Sequence, residues 1–364
     1  MSERILYMAA VPFEAARSVA LLPEGHRSHR LHGHSFVARV RAALPAGWAS
    51  FSGAETDNLI ERLREAVGPL DYRLLNDVID VPTDENIARW LQEHLNIPAV
   101  ETLGVLSTQH EGVELDQNGH AHIWRRFRFE AAHQLPNVPD GHKCGRMHGH
   151  GFEVILHADQ ELGRRAMGDD FNYLETCWAP VQAQLHHACL NDIPGLENPT
   201  SEMIASWIWK RLQPSTPELS WVTVYETASC GCSHDGTHYR IWKDFSFDSA
   251  TRLSIAPPGD SRSRIHGHTY MLRLHLSAPL DEIMGWIIDF GDVNELFTPV
   301  LKCLDHHALH ELPGLQQSDL AALAYWVRKQ VAECLPQLDR ITLHQIPGCG
   351  VMLSWAALHP ALPA

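Results

Sequence analysis

The segment HKCGRMHGHGF, residues 142–152, places His142, Cys144, His148 and His150 within eleven positions. On a β-strand, residues i and i+2 face the same side, so His148 and His150 project together while Gly149 leaves space between them. A third imidazole is offered by FEAAH, which ends at His133 just before the Pro/Gly-rich stretch LPNVPDGHKCG, where an antiparallel neighbour would return. Three neutral imidazoles around an open fourth position are the ligand set of a catalytic zinc ion rather than of a closed structural site. The competing reading is that these histidines only pack, and in a chain with 25 histidines one HGH triplet carries little weight. The triplet recurs, however, at His32–His34 and His266–His268, spaced by 116 and 118 residues, and only the middle copy has a histidine at the third-ligand position. Arg17 and Thr251 stand there in the outer copies. A guanidinium in a ligand shell opposes a dication, so zinc is expected in the middle copy alone.

The elements that must position these side chains repeat with the same period. PFEAARSVALLPEGHRSHRLHGHSFVARVRAAL, RFEAAHQLPNVPDGHKCGRMHGHGFEVILHA and SFDSATRLSIAPPGDSRSRIHGHTYMLRLHL are in register. Downstream, LDYRLLND, LHHACLNDIPGL and LDHHALHELPGL precede ENIARWLQEHL, EMIASWIWKRL and DLAALAYWVRKQV. Alternation in FVARVRAAL, FEVILHA and YMLRLHL predicts half-buried strands, helical periods follow, and WVTVYET or ITLHQI closes a unit as a further strand. The repeats therefore span whole domains, at residues 1–122, 123–242 and 243–364. The joins HIWRRFRF and RIWKDFSF contain no Gly/Ser linker. An α+β chain is expected, its units sharing one mostly antiparallel sheet with helices on one face and water on the other.

A net charge of -15 argues against a nucleic-acid partner, which would need surplus Lys and Arg. No apolar run is long enough to span a bilayer and no signal peptide is evident, so a cytoplasmic location without membrane contact is expected. The eight cysteines lack the density of a secreted disulfide framework and read as reduced thiols.

These segments resemble the 6-carboxytetrahydropterin synthase branch of the 6-pyruvoyltetrahydropterin synthase family. The resemblance rests on FEAAHQLPNVPDGHKCGRMHGH, LHHACLNDIPGLENPTSE and VYETASCGC in the middle unit, and on GWIIDFGDVNELFTPVLKCLDHHALHELPGL in the third. It implies three tandem tunnelling-fold units closing an intramolecular pseudo-trimeric β-barrel, with active sites at unit interfaces. Closure would leave no exposed sheet edge. Stacked barrels in the family imply a homodimer of pseudo-trimers. The resemblance also implies Zn2+ on His133, His148 and His150, and Cys144 as catalytic thiol. Glu226 would anchor a pterin by accepting from its N–H and amino pair, with Thr200 and Ser201 lining the same pocket. From the residues alone, NPTSE also reads as a helix cap and Glu226 as a surface carboxylate.

The family's Leu-Asp-His motif is divided among the units. The middle unit reads LHH, with His186 ahead of His187; the third keeps Asp305 and His306 but has Arg262 in register with Cys144; the first has Ser28 and Asp71–Tyr72. One working site per chain is expected, with thiol and zinc from the middle unit and Asp305–His306 from the third, and with His187 as the rival partner of Cys144. Zinc would polarise the oxygens of the substrate side chain, and Cys144, its pKa lowered by nearby positive charge, would abstract the carbon-bound proton. His306, oriented by Asp305, would relay protons. Lys143 and Arg146 are either phosphate contacts or solvated loop charges. The implied reaction converts 7,8-dihydroneopterin triphosphate to 6-carboxy-5,6,7,8-tetrahydropterin, acetaldehyde and triphosphate, in queuosine biosynthesis. The alternatives are a 6-pyruvoyl-forming synthase, a side-chain-cleaving aldolase, or a pterin-binding protein without catalysis, toward which Arg17, Thr251, His186 and Arg262 point.

Overall fold

The computed structural model describes residues 3–160 and 171–355. The first unit runs β1 (Arg4–Arg17), β2 (His32–Ala42), α1 (Glu55–Val67), β3 (Arg73–Leu74), α2 (Asp84–His94), β4 (Val100–Thr108) and β5 (Glu111–Asp116). The second repeats this as β6 (Ala121–His133), β7 (His148–Gln160), α3 (Phe171–Leu185), β8 (Ala188–Cys189), α4 (Ser201–Leu212), β9 (Leu219–Thr227) and β10 (Cys230–His234). The third contains β11 (Tyr239–Thr251), β12 (His266–Ser277), α5 (Phe290–Leu304), α6 (Leu320–Val331), β13 (Leu338–Ile346) and β14 (Cys349–Ser354).

The long strands form one antiparallel sheet, with β3 and β8 as short parallel additions on β1 and β6. β1 pairs with β2 on one side and with β14 on the other, from Arg4↔Ser354 to Met8↔Gly350, so the sheet closes into a twelve-stranded barrel. Among the described residues, no long strand keeps a free edge on which another chain could template. The turns between units lie at residues 117–120 and 235–238, so divisions drawn after residues 122 and 242 fall just inside β6 and β11.

Period-two alternation directs one face of every strand toward the helices. In β6, Phe129 and Ala131 are buried among Trp178, Leu185 and Ile204 of α3 and α4. Equivalent cores lie under α1 and α2 around Phe36, Leu59 and Leu91, and under α5 and α6 around Tyr270, Phe297 and Leu323. Each second helix begins at a capping side chain: Thr83, Thr200 and Asp319 accept from the N–H groups of Asn86, Met203 and Ala322 at 3.3, 3.2 and 3.0 Å. Such caps contribute about 1 kcal/mol apiece and fix where the chain turns.

The opposite face, expected to be wet, is enclosed by closure. Trp124, Ile155, Tyr225 and Trp242 form one inner cluster, and Leu6, Met8 and Met352 another. Many charged side chains on this face are paired, Arg126 with Glu153 (3.0 Å), Arg240 with Asp339 (3.0 Å), Arg273 with Asp244 (2.6 Å) and Arg41 with Glu114. Polar alternation along these strands thus produces an ion-paired interior rather than a solvent face. No helix among the described residues is long and apolar enough to cross a membrane.

Candidate active site

The β6–β7 register sets His133 opposite His148 and Ala131 opposite His150, so the third imidazole arrives across the ladder from the HGH pair. One nitrogen from each of the three rings lies within 4.8 Å of the others, the only such group of metal-ligating residues found among the described residues. The tautomers follow from the bonds behind the rings. His133 Nδ1–H donates to the Pro199 carbonyl (2.9 Å) and His148 Nδ1–H to that of Arg146 (2.8 Å), leaving each Nε2 as a lone pair. His133 Nε2 and His150 Nε2 are buried without a hydrogen-bond partner. Burial pushes His133 down to about 4 and also lowers His150, so both rings are neutral near pH 7. Three converging imidazoles, with the His133 and His150 nitrogens neutral and orphaned, fit zinc.

Cys144 is placed by the β6–β7 connection. Leu135 N–H donates to the Cys144 carbonyl (2.8 Å), and Cys144 N–H donates to His142 Nδ1 (3.2 Å), which folds residues 143–145 into one tight turn. The thiol opens into a cavity of 750 Å³ that also holds His148, His150, Glu226, Thr200 and Ser201. The far wall belongs to the third unit: Trp286, Asp289 and Asn294 around the start of α5, and Lys243 on β11. Burial, then the Glu226 and Asp289 carboxylates, push the Cys144 thiol up against the opposing Lys143. The lowering expected from the sequence therefore needs more positive charge than the side chains of this chain supply. Glu226, 3.6 Å from His150 Nε2, is pushed up to about 7 by burial and by Glu202 and Asp289.

The hydroxyls of NPTSE have structural duties. Thr200 Oγ1 caps α4 and donates to the Gly285 carbonyl (2.6 Å) of the third unit, while Ser201 Oγ donates to Glu202 Oε2 (3.1 Å). Lys143 reaches the cavity wall, whereas Arg146 is exposed and outside it.

Asp305 and His306 do not line this cavity; His306 borders another, beside His266 and His268 of its own unit. Two bonds tie the pair to β11: Asp248 N–H donates to Asp305 Oδ1 (2.9 Å), and His306 N–H donates to the Asp248 carbonyl (2.6 Å). His306 has φ 57° and an exposed ring, with Nδ1 3.0 Å from Asp305 Oδ2. The same clasp recurs at Asp71 and Tyr72, which engage Glu14, and at His186 and His187, which engage Glu130. His186 Nδ1 accepts the strand N–H that an aspartate accepts elsewhere, and His187 is likewise exposed at φ 60°.

The outer third-ligand positions are filled differently. Arg17 bonds Asp84 Oδ1 (2.5 Å) and the Pro82 carbonyl (3.0 Å) and lies 3.3 Å from His34 Nε2; burial, then Arg17, push His34 down to about 4. Thr251 Oγ1 is 2.5 Å from Ser318 Oγ.

The family model for 6-pyruvoyl tetrahydropterin synthase matches three times, over residues 8–116, 122–237 and 240–354. The chain belongs to that family. It is similar to 6-carboxy-5,6,7,8-tetrahydropterin synthase of Synechocystis sp., 41% identical over 114 residues, covering 29% of this chain and 87% of the relative. It is also similar to dihydroneopterin monophosphate aldolase of Pyrococcus furiosus, 32% identical over 119 residues, 32% of this chain and 97% of the relative. Among solved structures, 6-pyruvoyl tetrahydropterin synthase of Caenorhabditis elegans matches at 16% identity and TM-score 0.30, over 32% of this chain and 95% of that one. Each single-unit family member thus covers about a third of the three-unit chain.

Proposed function

We propose that this chain is a zinc-dependent pterin lyase that converts 7,8-dihydroneopterin triphosphate and water to 6-carboxy-5,6,7,8-tetrahydropterin, acetaldehyde and triphosphate, in queuosine biosynthesis. The supporting observation is that one cavity gathers two of the three converging imidazoles, the Cys144 thiol and Glu226. His133, His148 and His150 would hold zinc, which when bound supplies Lewis acidity toward the oxygens of the substrate side chain. Glu226, as carboxylate, accepts from the N–H and amino pair of the pterin. Cys144, as thiolate, takes the carbon-bound proton. Lys143 and Lys243 are the cations lining the cavity toward the triphosphate. Eight unpaired cysteines fit a cytoplasmic, reducing location.

In this reading Asp305–His306 or His187 relays protons to Cys144 from a second copy, because both lie exposed outside the cavity of their own chain. The functional form is then a homodimer of pseudo-trimers. The Pyrococcus relative favours, as a second reading, side-chain cleavage by an aldolase on the same site. Metal analysis and product identification test the proposal. One zinc per chain with release of acetaldehyde and triphosphate is expected; three zinc ions per chain, or no turnover of this substrate by zinc-loaded protein, would refute it. Pyruvoyl or aldolase products would instead select the sibling chemistries.

A further inference from the structure

The seam between the third and first units encloses a second cavity, of 440 Å³, in register with the site above and rebuilt in chemistry. Its volume falls within the roughly 300–1,000 Å³ of small-molecule sites. The third imidazole is replaced by the bonded Thr251–Ser318 pair, and Arg262 stands where Cys144 stood. Arg262 is held bidentately by Asp260 (2.9 and 2.8 Å), bonded by Asp57 of the first unit (2.7 Å) and stacked on Phe51 (4.6 Å). The cavity therefore has neither thiol nor third metal ligand, yet the seam has not collapsed to fill it.

Two further exchanges define what it can hold. β9 and β13 lie alike against β7 and β12, Tyr225 opposite Glu153 and His344 opposite Met271, so Gln345 occupies the position of Glu226. Glu202, two residues past the Thr200 cap, becomes Ala321, two past the Asp319 cap. A carboxylate offers only acceptors, whereas a carboxamide offers one donor face and one acceptor face. Gln345 thus matches an adjacent C=O and N–H, the lactam edge of an oxo-heterocycle. Arg262 is already neutralised by Asp260 and Asp57, and Glu55, Asp57 and Asp319 outnumber Arg264, the other cation of the wall, a balance that disfavours a phosphate chain. Leu253 supplies an apolar surface for a flat ring.

We propose that this cavity is a second, non-catalytic binding site for a phosphate-free oxo-heterocycle that presents a lactam edge to Gln345. The site stands on its own residues and is independent of turnover at Cys144. Calorimetric titration of the full chain with lumazine, the 2,4-dioxopteridine, tests it. Saturable binding is expected, weakened at least about tenfold in Gln345→Glu, which turns an acceptor toward the ligand carbonyl. Gln345→Met, close in volume, carries the test if the melting transition shows Gln345→Glu to be misfolded. Absence of saturable binding at millimolar lumazine, or full affinity in both Gln345 variants, overturns the proposal.

Discussion

Replacing Glu202 by glutamine probes the seam between the second and third units. Glu202 is 2% exposed; Oε1 accepts from Ile287 N–H across the seam (3.1 Å), and Oε2 accepts from Ser201 Oγ (3.1 Å). Burial pushes its carboxyl up to about 7 from the usual 4.5, despite those hydrogen bonds. A carboxyl raised by folding keeps its proton in the fold after the unfolded chain has released it. Its contribution is therefore fully present below about pH 4.5, is lost as pH rises toward 7, and stays lost above. At about 1.4 kcal/mol per pKa unit the loss is roughly 3 kcal/mol. Glutamine keeps the acceptor for Ile287 without the charge, and Ser201 can turn its hydroxyl to accept from the amide. With an unfolding entropy of about 2.1 cal/mol/K per residue, 3 kcal/mol corresponds to about 4 °C in a chain of this length. Differential scanning calorimetry of Glu202→Gln should thus give a melting temperature close to that of the unaltered chain at pH 5 and about 4 °C above it at pH 8. Removing the Glu202 carboxylate also relieves Glu226, which it pushes up, so both effects favour the variant at pH 8 and the difference between the two chains is the readout. A variant that melts at or below the unaltered chain at pH 8 would refute the reasoning.

Cys144→Ala should lower turnover by about 10²–10⁴-fold with metal content unchanged, as read by steady-state assay and elemental analysis. His133→Ala should abolish stoichiometric zinc binding, since it removes the ligand whose ring the Pro199 carbonyl fixes. His306→Ala and His187→Ala, assayed separately, assign the proton relay: the pair in use loses turnover and the other keeps it. Gly350→Ala should cost about 1–3 kcal/mol in denaturant unfolding, because its Cβ would lie 2.0 Å from the Leu343 carbonyl oxygen on the adjoining strand.

The repeats, the alternating strands and the His133–His148–His150 group were legible because each depends on local spacing or on a period that any copy can confirm. Residues fixed by closure were not. Lys243 and Asp289 face Cys144 only because the third unit packs beside the second, and nothing in RIWKDFSF or GWIIDFGD marks them apart from their neighbours. The inner face misled for a related reason: Arg126, Arg240 and Arg273 give a strand the alternation of a wet surface, whereas their pairing with Glu153, Asp339 and Asp244 is a tertiary fact. Asp305 and His306 show the opposite hazard. The motif is intact, yet its aspartate also clasps the N–H of Asp248, a duty that persists at Asp71 and His186 where no Asp-His pair remains.

The pairing of β1 with β14 joins the first and third units of one polypeptide. A ring assembled from three separate subunits opens on dilution; here ring closure is unimolecular, and its equilibrium does not depend on how much protein is present. Dilution therefore acts only on contacts between chains. If the proposed relay from a second copy operates, specific activity should fall on dilution, and the fall measures the contacts that bring an exposed His306 or His187 to a neighbour's Cys144.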